Sequence, residues 1–128
     1  MEKNYPKYVT GHAVRSLCSK LNLKSQGEFT QDWEYEVADA SRITEFLDAY
    51  EQYPWNVEEK FALMIIIIES CNDALVEGTC DPEIIQALKH HLILDADIHY
   101  NTLRYWALLD EPELDNCFAI TPIIREII

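Results

Sequence analysis

Glycine and proline are scarce here, with three Gly and five Pro in 128 residues. All-β folds need turn after turn, so this scarcity argues against a sandwich or barrel and for long helices with few connections. The glycines (Gly11, Gly27 and Gly78) are isolated, which removes any phosphate-cradling loop. The longest apolar run, Phe61 to Ile68, is eight residues, far short of the ~18–20 a membrane span needs. No apolar run follows the N-terminal bases as it would in an export signal, so a cytoplasmic location is expected. Cys18, Cys71, Cys80 and Cys117 show no C-x-x-C spacing. Without an export signal they read as thiols in a reducing compartment, not a disulfide framework. Nucleophile motifs such as G-x-S-x-G are absent as well. The balance is against an enzyme, and no cofactor is expected.

Basic residues are the remaining scarcity, and they are unevenly placed. The chain has 10 Lys and Arg against 23 Asp and Glu, a net charge of -13. Residues 1–25 hold one acid (Glu2) and five bases (Lys3, Lys7, Arg15, Lys20, Lys24), a net of +4. Residues 26–128 hold 22 acids and five bases (Arg42, Lys60, Lys89, Arg104, Arg125), a net of -17. Such a field repels nucleic acid and anionic membranes and attracts basic protein surfaces. The basic segment reads as an arm and first helix that lie on the acidic body and offset part of its self-repulsion.

What is present is a hydrophobic content of 48%, too high for a disordered chain. The length suits one domain over 1–128, with an N-terminal arm over about 1–10. Periodicity then predicts a mainly α bundle of about five to six helices. Val14, Leu17, Cys18 and Leu21 make a stripe at i, i+3, i+4, i+7 within a helix over about 11–23. Ile43, Phe46, Leu47 and Tyr50 repeat the spacing, between a cap at Asp39 or Ser41 and a stop at Pro54. Asn56 opens and Gly78 closes a third helix whose Phe61–Ile68 core is apolar all round, so it is expected at the centre. Asp81–Pro82 starts a helical pattern running to Ala107, too long for one helix, with a break expected near Asp95–Asp97. Residues 110–117 read as an acidic loop, and Thr121–Pro122 as the cap of a last helix, Ile123 to Ile128.

The segment 24–38 fits two templates. Phe29, Trp33, Tyr35 and Val37 share one parity while Asp32, Glu34 and Glu36 hold the other, which is strand alternation. Trp33, Val37 and Ala40 equally fit a helical face. The aromatics favour a short strand or extended segment near 29–37, although no pairing partner is evident.

Two constellations carry candidate chemistry. His91, Asp95 and His99 stand at i, i+4, i+8, a spacing that aligns metal ligands on one helix face. Glu69, Asp73 and Glu77 form a parallel row on the preceding helix. A dimetal bundle would need Glu-x-x-His, and none occurs. Solvated helix faces with boundary histidines are the simpler reading, so a metal site at His91, Asp95 and His99 is the alternative. The favoured site is an interface. Asp32, Trp33, Glu34, Tyr35 and Glu36 alternate rings that supply packing with acids that steer a basic partner, and Asp110, Glu111, Glu113 and Asp115 form a second acidic cluster. The competing reading turns the rings inward and leaves the acids merely solvated. The last helix, with Ile123, Ile124, Ile127 and Ile128, is a candidate homo-oligomer surface or the completion of the core. In character the chain is similar to nuclease-neutralising immunity proteins and nucleic-acid-mimicking inhibitors. That likeness implies a protein partner with a basic, phosphate-binding surface.

Overall fold

The computed structural model describes residues 5–24 and 33–128, and among them there are seven α-helices and no strand. Helix α1 spans Gly11–Leu21, α2 Trp33–Glu36, α3 Ile43–Gln52, α4 Val57–Glu77, α5 Pro82–Leu94, α6 Tyr100–Ala107 and α7 Thr121–Ile127. Short 3₁₀ turns at Ala40–Arg42 and Leu114–Asn116 precede α3 and α7.

Helix α4 is the axis of the fold. Every residue from Phe61 to Ile68 is buried, as its all-round apolarity demands. The four isoleucines stay helical because burial on every side contributes roughly 1.5–3 kcal/mol for each, more than their modest β-preference. Both ends are specified locally. Asn56 and Glu59 form a reciprocal capping box, and Gly78 takes the left-handed conformation at φ 75°. Helices α1, α2 and α3 pack directly on α4. Ser16 of α1 hydrogen-bonds the carboxylate of Glu59, which is itself buried. Burial alone would raise that carboxyl. The Asn56 backbone N–H, the Ser16 hydroxyl and the charges of Lys20 and His12 outweigh burial and hold it below the usual range.

The expected break after α5 is present. Helix α5 ends at Leu94, residues 95–99 are turns, and α6 begins at Tyr100. The strand reading fails where it can be compared. Trp33–Glu36 is a helical turn, Val37 N–H donates to the Trp33 carbonyl at 3.1 Å, and Trp33 and Val37 both face the core. With no strand to pair with, the backbone satisfies itself locally. Phe29 to Asp32 lie outside the described residues.

Two finer expectations also change. Thr121 is the first residue of α7 rather than its cap. Its hydroxyl donates to the Trp106 carbonyl at 2.8 Å and accepts from the Phe118 N–H at 3.1 Å, joining α7 to α6. Ile124 is buried and Ile123 and Ile127 pack against the core, so only Ile128, 50% exposed, remains as spare apolar surface on that helix. None of the four cysteines is in a disulfide. Among the described residues no helix is long and apolar enough to cross a membrane.

Candidate interaction face

Helix α6 carries two adjacent aromatics with opposite fates. Trp106 is buried beneath Phe118, ring centroids 4.5 Å apart, while Tyr105 beside it is 53% exposed. Tyr105 lies nearly parallel to the Phe118 ring at 5.8 Å and edge-on to Trp106 at 5.5 Å. Tyr35 on α2 is its neighbour across this surface. Burial, then the neighbouring Tyr105 and the carboxylates Glu34 and Glu69, all raise the Tyr35 pKa, so that phenol stays protonated.

Three depressions meet at Tyr105. The first, a cleft of about 410 Å³, runs between the arm (Lys7, Tyr8, Val9), α2 (Glu34, Tyr35), α4 (Phe61, Ile65) and α6 (Asn101, Thr102, Tyr105, Trp106). The second, about 430 Å³, is lined by Tyr35, Glu69, Tyr105, Trp106 and Phe118. The third, about 500 Å³, is lined by Arg104, Tyr105, Leu108, Leu109, Asp110 and Glu111. Glu34 and the pair Asp110–Glu111, far apart in sequence, therefore border one surface with Tyr105 at its middle. Glu69 sits in the same surface, its carboxyl raised by burial and then by Asp73.

Arg125 shapes one edge of this surface. Its guanidinium donates to the carbonyls of Ala107 (2.7 Å), Leu108 (2.6 Å) and Glu111 (2.9 Å). A cation at a helix C-terminus satisfies carbonyls that have no partner within the helix. Here it also holds the chain where Leu108 takes φ 44°, an unfavourable value for a branched side chain. The turn it secures brings Asp110 and Glu111 up against Tyr105.

Four of the nine sequence-expected interface residues reach this region. Glu34, Tyr35, Asp110 and Glu111 line the depressions. Trp33 does not. It is 1% exposed, and its indole N–H donates to the Lys24 carbonyl at 2.7 Å, so it anchors α2 to the core and is unavailable to a partner. Glu36, Glu113 and Asp115 are exposed but outside the three depressions. Asp32 lies outside the described residues. Tyr105, Tyr8 and Arg125 were missed. The two tyrosines belong to no periodic stripe, and Arg125 stands in the sequence only as one of five bases in an acidic body.

The histidine row assembles into something other than a metal centre. Tyr50 of α3 donates its hydroxyl proton to Asp95 Oδ2 at 2.6 Å and contacts His99 Nε2 at 2.8 Å. A phenol has one proton to give, and the carboxylate takes it, so His99 must carry its own proton on Nε2. Lys60 Nζ reaches the same Asp95 oxygen at 3.4 Å. His91 turns to Glu51 instead, at 3.0 Å. His99 is 0% exposed, its Nδ1 has no partner among the described residues, and burial lowers its pKa to about 4, the pull of Asp95 offsetting only part. His91, Asp95 and His99 thus lock α3 and α4 to the α5–α6 junction, while Glu69 of the parallel row faces the Tyr105 surface. Among the described residues no group of three or more His, Cys, Asp or Glu could hold a metal ion.

The bases of the acidic body are each engaged by other groups of the chain. Arg42 pairs with Glu45 and the Leu21 carbonyl, Lys60 with Asp95, and Lys89 with Glu126. Arg104 lies over the Tyr100 ring at 5.3 Å and Arg125 is caged by carbonyls. No family model matches the sequence, and no curated protein or solved structure matches it either.

Proposed function

We propose that this chain is a small binding protein that docks a basic protein partner through the face centred on Tyr105, in the manner of an immunity protein or inhibitor that covers a phosphate-binding surface. One observation carries the reading. Exposed aromatic surface at Tyr105 is bordered by carboxylates from two distant segments, Glu34 on one side and Asp110–Glu111 on the other. Rings give packing energy on desolvation, and bordering charges set encounter rate and partner choice. Arg42, Lys60, Lys89 and Arg125 are engaged by groups of the chain itself, and the net charge of -13 favours a cationic partner.

A hexa-arginine peptide titrated by NMR tests this. Signals of Tyr35, Tyr105 and Glu111 should shift saturably at low salt and weaken steeply as salt rises. Neutralising Glu34, Asp110 and Glu111 to their amides should reduce affinity by about tenfold or more. Neutralising the exposed Glu77 and Glu83, which line none of the three depressions, should have little effect. Equal losses from the two sets would sink the proposal. For the immunity role, the protein encoded beside this one should be basic and lose its toxicity when the two are co-expressed.

A further inference from the structure

The cleft between the arm and α6 reaches the side of the central helix. Phe61 and Ile65, one turn apart on α4 and both buried, line it. Helix α6 packs chiefly on α7, which leaves room between it and α4. Trp106, 1% exposed, completes an apolar floor, and Tyr8, Tyr35 and Tyr105 supply ring walls. The arm is pinned beside it: Tyr5 stacks on Tyr100 at 4.5 Å, and the Asn101 amide donates to the Pro6 carbonyl at 3.0 Å. One group in the cleft stands out. Thr102 is only 5% exposed, yet among the described residues its hydroxyl has no hydrogen-bond partner. A helical threonine commonly bonds a carbonyl of the preceding turn, and this one does not. Its oxygen is not fully enclosed, so it opens onto the cleft that Thr102 lines.

We propose that this cleft binds a small, uncharged, planar heteroaromatic molecule of about two fused rings, which lies on Phe61, Ile65 and Trp106 and turns a polar edge to the Thr102 hydroxyl and the Asn101 amide oxygen. The site goes beyond the docking reading and does not depend on it. The cleft volume of about 410 Å³ falls in the range of about 300–1,000 Å³ typical of small-molecule sites, which are mostly apolar with a few convergent polar groups. Flat rings gain stacking on tyrosine and tryptophan in addition to burial, and a saturated skeleton gains burial alone. A wholly apolar ligand would cover the Thr102 and tyrosine hydroxyls and return no hydrogen bond. The Asn101 nitrogen is committed to Pro6, so its oxygen is the group it can offer, an acceptor beside the two-way hydroxyl of Thr102. Charge of either sign is opposed. Lys7 lines the cleft and repels a cation, and the net charge of -13 repels an anion. Glu34 lines the cleft too, but it is engaged by another group of the chain and has no part in the site.

The test is an NMR titration of the intact chain with three probes: quinolin-2-one, a flat neutral lactam; its fully saturated analogue; and quinoline-2-carboxylate. Quinolin-2-one should shift the Trp106 indole, the Asn101 side-chain amide and the Thr102 backbone amide saturably. The saturated lactam should bind about threefold or more weakly, and the carboxylate more weakly than quinolin-2-one as well. Thr102→Val keeps the shape of the side chain and removes the hydroxyl. That hydroxyl has no partner to lose, so the urea midpoint should not fall, whereas affinity for quinolin-2-one should drop about fivefold. Tyr105→Ala should weaken the same probe. Scattered or unsaturable shifts, equal binding of the saturated lactam or the carboxylate, or an unchanged affinity in Thr102→Val would each overturn the assignment. Hexa-arginine, read at Glu111, keeps the docking reading separate. If it binds while quinolin-2-one leaves the cleft silent, the cleft site fails and the docking face stands. If quinolin-2-one binds as described and hexa-arginine does not, the cleft site stands alone.

Discussion

Two places in this molecule bring phenol rings together with carboxylates, and they have opposite characters. At the α5–α6 junction, Tyr50, Asp95, His99 and Lys60 close on one another, with Tyr50 and His99 buried. Around Tyr105, the rings of Tyr8, Tyr35 and Tyr105 and the carboxylates of Glu34, Glu69 and Asp110 line depressions open to solvent. Similar residue types serve stability in one place and surface chemistry in the other. What differs is closure. In the first, the only proton of the Tyr50 hydroxyl is spent inside the fold. In the second, the groups are pre-positioned around space another molecule can fill.

The sharpest way to break the comparison is Tyr50→Phe. It leaves Asp95 and His99 without the hydroxyl that joins them, and should cost about 2–3 kcal/mol in urea unfolding, because buried polar groups lose a shared partner. The same experiment should leave hexa-arginine binding intact.

Acid should then separate the two regions. An unfolded imidazole protonates near its ordinary 6.5, whereas burial keeps folded His99 neutral down to about 4. Between these values the unfolded chain holds the extra proton, so stability falls as pH drops through that window and is fully present above it. The loss should be on the order of 2 kcal/mol, and His99→Gln should flatten it in urea midpoints taken from pH 7 to pH 4. Glu59 acts later. Its folded carboxyl is depressed, so its contribution disappears only at pH values below the ordinary carboxylate range.

Arg125→Met tests the edge of the open face. It leaves the carbonyls of Ala107, Leu108 and Glu111 without their donor and should cost about 1–2 kcal/mol. Hydrogen exchange should quicken at Asp110 and Glu111, and affinity for the basic probe should fall with it. Tyr105→Ala should have the smallest effect on folding, about 1 kcal/mol or less for a half-exposed ring. Its effect on binding should be far larger than its effect on the urea midpoint, the reverse of Tyr50→Phe.

The helices were largely legible in the sequence, because their signals are local. Asn56 with Glu59, Gly78, and Pro82 in the first turn of α5 act within a few residues of themselves, and the Val14–Leu17–Leu21 and Ile43–Phe46–Leu47–Tyr50 stripes repeat at helical period. The all-round burial of Phe61–Ile68 was legible for the same reason. The segment at Trp33 was not. Alternation of rings and acids suits a strand only if another strand is present, and the space above α4 admitted a single helical turn instead. Thr121 was misread because its hydroxyl serves Trp106, a partner 15 residues away.

The site was legible only in pieces. Glu34, Tyr35, Asp110 and Glu111 stood out by charge and ring content, but nothing along the chain says that they share a face, since that depends on how α2 and α6 are laid against α4. The same holds for His91, Asp95 and His99. Their spacing would align three ligands on a continuous helix, yet the break at 95–99 redirects Asp95 and His99 to Tyr50 and leaves His91 to Glu51.

By itself, then, the sequence determined the helices, their caps, the buried axis and the imbalance of charge, all of which follow from neighbours within a turn or two. Only the tertiary structure decided which acids border exposed rings and which groups each base engages, and that the histidine row is a lock rather than a ligand set. Side-chain hydrogen bonds and desolvation depend on atoms that meet across 15 to 49 positions of chain, a distance over which no local pattern speaks.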